Sequence, residues 1–180
     1  FSLSSNVVSK QNGGSNGFLT DEAATNWSSQ VAYTTDSYHV SLISALKYNG
    51  WTDSYFSTPL GKARPDGNST NYGLRAYWRP DESGSAVPEL SAGYDFSKVG
   101  GQDADTDAFF VGLTWKDSFQ ADDRVGIAVG KPQTSDDDTV EPFAWEAYYS
   151  FKVNDSVTMT PAIFGSNDRT GGGLEDVTGY

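Results

Sequence analysis

The chain has 180 residues and a formal net charge of −12, from 12 Lys and Arg against 24 Asp and Glu. That balance excludes a phosphate-gripping nucleic-acid surface and direct adsorption to anionic headgroups; the lack of cysteine excludes disulfide frameworks and thiolate metal sites. A hydrophobic fraction of 37% beside 19 glycines and 14% aromatics describes a turn-rich β protein.

The length suits one domain. No run approaches the ~18 apolar residues of a membrane helix, and no signal peptide is visible. The single methionine is Met159, and the opening Phe1-Ser2-Leu3-Ser4 already alternates, so the chain reads as starting inside a strand. Absence of cysteine fits a bacterial envelope protein.

Alternation of period two predicts the elements. Phe1, Leu3, Ser5 and Val7 form a partial first strand, and Trp27, Ser29, Val31 and Tyr33 a second. The third runs Tyr38 to Tyr48 with Val40, Leu42 and Leu46 on one face and His39, Ser41 and Lys47 on the other. Tyr72, Leu74, Ala76 and Trp78 give the fourth; Pro88, Leu90, Ala92, Tyr94 and Phe96 the fifth. Phe109, Val111, Leu113 and Trp115 give the sixth, and Val125, Ile127 and Val129 the seventh. The eighth runs Phe143 to Val153, and after Asn154-Asp155 a ninth carries Val157, Met159, Pro161 and Ile163. Val177 to Tyr180 begins a tenth. Short links (Thr35-Asp36, Pro80 to Ser85, Asp117 to Asp122, Asn154-Asp155) alternate with longer ones rich in Gly, Ser, Asn and Asp.

A soluble β-sandwich also alternates apolar and polar residues. These strands, however, reach about ten residues where soluble strands average about 5–6. Aromatics mark the ends of the apolar rows: Trp27 and Tyr33, Tyr38 and Tyr48, Tyr72 and Trp78, Phe109 and Trp115, then Phe143 and Trp145. Two membrane interfaces select rings in this way, and the short-turn, long-loop rhythm is that of outer-membrane barrels. The expected fold is an all-β transmembrane antiparallel up-and-down barrel, porin-like, with the apolar row facing lipid. About ten strands are visible, and an aqueous channel needs about 16–18. Residues 1–180 therefore read as the C-terminal part of one larger barrel domain.

The other row would line the lumen: Lys47, Arg75, Tyr77, Arg79, Glu89, Asp95, Lys116, Arg124, Glu146, Tyr148 and Lys152. Charges on a pore wall bias which ions pass. Arg75, Tyr77 and Arg79 read either as a solute-orienting ladder or as wall charges paired with neighbours. Tyr77 and Tyr148 could stack sugars. Asp103, Asp105 and Asp107 alternate in a manner that suits Ca²⁺, but an EF-hand from Asp103 would need glutamate where Thr114 stands, so a solvated acidic loop is the better reading. His39 is the single histidine, and no nucleophile elbow, phosphate loop or zinc spacing is present; no enzyme activity and no cofactor are expected. The longest loop, Asn49 to Ser69, reads as a pore constriction or as an external packing loop.

The stretch "WEAYYSFKVND", Trp145 to Asp155, followed by "TMTPAIF", Thr158 to Phe164, resembles the C-terminal hairpin of the OprB-type carbohydrate-selective porins, nearest their cyanobacterial iron-uptake-porin branch. "NYGLRAYWRP" and "SAGYDF" support the likeness more loosely. The resemblance implies passive diffusion of ions and small hydrophilic solutes across a cyanobacterial outer membrane, and a homotrimer. It also implies an N-terminal surface-layer-homology domain bound to a peptidoglycan-linked polymer, and one more strand with a terminal Phe; neither is in this sequence. Two other classes stay open: an outer-membrane barrel acting as a surface docking or phage-receptor protein, and a soluble β-sandwich carbohydrate-binding module.

Overall fold

A computed structural model describes residues 1–10, 20, 23–51, 68–81, 84, 86–100, 105–136, 141–167 and 177–179. The alternating segments form eleven strands: β1 (Ser2–Lys10), β2 (Ala24–Thr34), β3 (Tyr38–Tyr48), β4 (Ser69–Trp78), β5 (Glu89–Val99), β6 (Asp105–Lys116), β7 (Arg124–Ser135), β8 (Phe143–Asn154), β9 (Val157–Met159), β10 (Ala162–Asn167) and β11 (Val177–Gly179). They make one antiparallel up-and-down sheet in the order β1 to β8, then β10 and β11, with β9 also on β8. The sheet is not closed: β1 and β11 each pair on one side.

The ninth predicted strand is divided in two. Phe151 pairs with Met159 and Tyr148 with Ala162, a single register on either side of the break. Pro161 has no N–H to give back to β8, which removes one ladder bond. Its carbonyl still accepts the Tyr149 N–H at 3.0 Å, and the Thr160 hydroxyl bonds Ser150 Oγ at 2.9 Å.

Register partners share a face, and alternate residues take opposite faces. One row on the apolar face runs Leu3, Val31, Leu42, Leu74, Tyr94 and Phe109. All are large and uncovered, from Phe109 at 39% exposed to Leu3 at 77%. Among the described residues the buried hydrophobic side chains are three alanines (Ala23, Ala24, Ala32) and Val99. A soluble domain of this length buries about 70% of its unfolded surface around a core; this sheet has no such core and no second layer against either face among the described residues.

The strands are slanted. β3 begins at Tyr38, and the row of partners starting there passes through Trp78, Leu90, Leu113 and Ile127 to Ala147, seven residues before the end of β8 at Asn154. At the other end, Ala144 is one residue into β8, and its row reaches β3 at Ser41, seven residues before Tyr48. Both ends thus step by six or seven residues over the five spacings from β3 to β8. With about 3.3 Å per residue and about 4.8 Å per spacing, the slant is roughly 40–45°.

The β6–β7 turn is locked by two carboxylates. Asp117 and Asp122 take positive φ of 51° and 65°, and Asp117 Oδ1 accepts the Asp122 N–H at 2.7 Å. Asp123, fully buried, accepts the N–H groups of Ser118, Phe119 and Gln120 at 2.7–3.0 Å and the Tyr149 hydroxyl at 2.9 Å. Burial pushes its pKa up, but these four donors outweigh that and hold it below the ordinary carboxylate value. The ionised form is therefore favoured by folding. Its contribution is present above the ordinary Asp pKa and is lost as pH falls through the lowered folded value. Thermal melts should show Asp123→Asn less stable than wild type at pH 7, with the gap closing toward pH 2–3; a gap independent of pH would refute this role for the turn.

Candidate functional site: the polar face of the sheet

The face opposite the apolar row carries the charged and hydroxylic residues of β3 to β8. Its densest part straddles β4 and β5. Arg75 stands opposite Gly93, and Asp95 opposite Gly73. Two glycines thus let a diagonal ion pair lie flat on the sheet: Arg75 Nη2 donates to both Asp95 oxygens at 2.9 and 2.7 Å, and Nη1 to the carbonyls of Leu74 and Tyr94 at 2.9 and 3.3 Å. A Cβ on Gly73 would fall 2.8 Å from Asp95 Oδ1, and one on Gly93 2.3 Å from the Phe110 ring. That ring covers the pair, its centroid 5.9 Å from the guanidinium carbon.

Tyr77 is held between two partners. His39 stacks on it at 5.3 Å, and the Arg79 guanidinium lies over it at 4.3 Å. His39 Nδ1 also meets Thr34 Oγ1 at 2.7 Å, so the histidine sits in a ring stack with a hydroxyl rather than beside a carboxylate. Glu89 serves two cations, Lys116 at 2.6 Å and Arg79 at 3.7 Å. In the Arg75, Tyr77, Arg79 row both arginines are thus paired, Arg75 with Asp95 and Arg79 with Glu89. With both side chains of the Arg75–Asp95 pair more than a third exposed, it adds at most about 1 kcal/mol; its effect is on the local field.

The remaining candidate residues of this face are placed as follows. Lys47 lies at the loop end of β3, in register with Asn26 and Ser69. Arg124 stands directly opposite Lys116 at the start of β7, so two cations meet there. Lys152 Nζ reaches Asp122 Oδ2 at 2.9 Å, and this bond and charge hold the Asp122 pKa low. Tyr148 lies across Gly126, where a Cβ would come within 2.2 Å of the ring, and its hydroxyl meets Thr114 Oγ1 at 3.4 Å. Glu146, exposed, lies in register between Ala128 and Phe164. Phe110 and Phe164 share this polar face, which the sequence reading missed because it counted apolar residues on one face only. The Phe109-Phe110 doublet was the available signal, since neighbours in a strand point opposite ways.

The ten aromatics expected at membrane interfaces all lie on the apolar face. Trp27, Tyr33, Tyr38, Tyr48, Tyr72, Trp78, Phe109, Phe143 and Trp145 are 36–48% exposed, and Trp115 is half-buried. Near the long-loop end this face turns charged: Lys131 pairs with Asp107, and Lys98 lies opposite Asp105. Of the carboxylates weighed as a cation site, Asp107 is engaged by Lys131, and Asp103 lies outside the described residues. No group of three metal-ligating side chains is found among the described residues. Positions 52–67 of the longest loop also lie outside them.

The polar face thus presents paired charges of both signs, hydroxyls and flat rings. The glycine seats make its flatness testable. Gly126→Val should displace Tyr148 and cost about 1–3 kcal/mol of stability. Tyr148→Ser should recover most of that loss in the double variant. A double-mutant cycle by denaturant unfolding gives the coupling, and full additivity would contradict the contact.

Comparison with known protein families, with curated proteins and with solved structures gives no match to this chain.

Proposed function

We propose that this chain forms part of the wall of a porin-like outer-membrane β-barrel, through which ions and small hydrophilic solutes diffuse passively. The observation that carries this is the pairing of an exposed apolar face with a charged, hydroxylic face across one sheet. Water suits one of those faces and hydrocarbon the other. The roughly 40–45° slant agrees with the strand tilt of closed barrels, about 35–45°. Aromatics toward both ends of the apolar face fit two membrane interfaces. A sandwich module needs a second sheet over its apolar face, and the described residues supply none.

In this reading further strands complete the wall between β1 and β11, since bare edges are not tolerated in lipid. The likeness of Trp145 to Phe164 to the OprB-type porins adds the cyanobacterial outer membrane, a trimer and a wall-bound domain to the proposal. The wall residues are Lys47, Arg75, Tyr77, Arg79, Glu89, Asp95, Lys116, Arg124, Glu146, Tyr148 and Lys152. Passive diffusion of this kind implies no cofactor and no energy source.

The protein at its natural full length, reconstituted in planar bilayers, should give discrete, stable conductance steps. A protein that gives no steps and stays folded and monodisperse without detergent would sink the proposal and favour a soluble binding module. Glu89→Gln should free Arg79 and Lys116 from their shared partner. Under a KCl gradient its reversal potential should move toward anion selectivity; an unchanged potential would remove this triad from the conducting path.

A further inference from the structure

We infer that the polar face carries a binding site for a small organic cation with an apolar body, centred on Glu146. The carboxylates of Asp95 and Glu89 on this face are each matched by a cation within 2.9 Å. Glu146, exposed on β8, has no hydrogen-bond or ion-pair partner among the described residues. It borders a groove of about 480 Å³ that runs over β6, β7 and β8.

The composition of that groove is unlike the rest of the wall. Its floor is Ala108, Ala128, Gly130 and Ala144, and its flanks are Phe110 and Phe164, while Lys131, which also lines it, is matched by Asp107. Both rings lean outward. Phe110 lies over Gly93 on β5, and Phe164 over Gly179 on β11, where a Cβ would meet the rings at 2.3 Å in each case. The rings thus fold away from the small residues between them and leave the trough open. Asp95, already matched by Arg75, closes the far end. An apolar trough with one unmatched carboxylate rewards a ligand that fills the floor with carbon and brings a positive charge to Glu146. Pockets for small organic molecules span about 300–1,000 Å³ with a few placed polar groups. An inorganic cation would leave the floor wet, and an anion would meet Glu146 unscreened.

The inference deepens the porin reading by naming a solute class for the face which that reading turns to the lumen. Binding is measured without conduction, so the two can fail separately. The full-length protein in detergent is titrated calorimetrically with phenethylammonium, against protein-free micelles and against neutral 2-phenylethanol. Saturable binding of the ammonium, with the alcohol at least ten-fold weaker, is expected. Glu146→Gln should weaken the ammonium about ten-fold or more, as loss of a hydrogen bond to a charged group does. Ala128→Leu, which keeps the carboxylate and fills the floor, should weaken ammonium and alcohol alike. Far-UV circular dichroism confirms the fold of each variant. Equal binding of ammonium and alcohol, unchanged affinity in a folded Glu146→Gln or Ala128→Leu variant, or no saturable binding to wild type would overturn the site, whatever the bilayers show.

Discussion

A backbone in an extended strand can satisfy its N–H and C=O groups only on the strands beside it, and most of the described residues serve that one requirement. From β1 to β8 each strand takes the next in sequence as its partner, β9 and β10 both lie on β8, and a single sheet results. A sheet one layer thick has two faces, and no second layer covers either among the described residues. Every other property follows from how the side chains divide between those faces. Val31, Leu42, Leu74 and Tyr94 cannot be hidden by repacking, because their partners across the ladder point the same way they do. The buried side chains that do exist, such as Val99, Thr134 and Asp123, lie toward strand ends and turns rather than in a central core.

On the polar face the problem is different: long charged side chains must lie beside each other at strand spacing without lifting off the sheet. Glycine opposite a bulky partner is the recurring answer. Gly73 and Gly93 receive the Arg75–Asp95 pair, and Gly126 receives Tyr148. The same device recurs on the apolar side, where Gly165 lies within 2.8 Å of the Trp145 ring for any added Cβ. Charges and rings are thereby laid along the sheet instead of standing out from it, and ion pairing sets a mixed field rather than a ladder of one sign.

Strand identity was legible wherever period-two alternation ran uninterrupted. β3 matches its predicted limits because aromatics stand at both ends of its apolar row and a Thr-Asp turn precedes it. β5, β6 and β7 extend past their predicted limits, and for one reason. Lys98, Asp107 and Lys131 end the apolar signal while the backbone ladder continues beneath them. Pro161 has the opposite effect, keeping the alternation but dropping a donor. The candidate wall residues were legible as a face, because alternation alone assigns sides. Their partners were not: Arg75 with Asp95 is a diagonal across strands, and only the register between β4 and β5 brings the two together. The groove beside Glu146 was hidden further still, since it depends on where two phenyl rings lean.

The slant of the strands gives that groove a direction. Residues at one level of the sheet are not register partners; each strand passed from β8 back to β5 moves the level by about one residue toward the long-loop end. Followed along that slope, Glu146, Gly130, Phe110 and Asp95 fall on a common contour. The trough therefore runs across the strands, along the level of their ends, instead of descending with them. A molecule resting in it would lie crosswise, like a rung, with its charged end at Glu146 and its tail toward the Arg75–Asp95 pair.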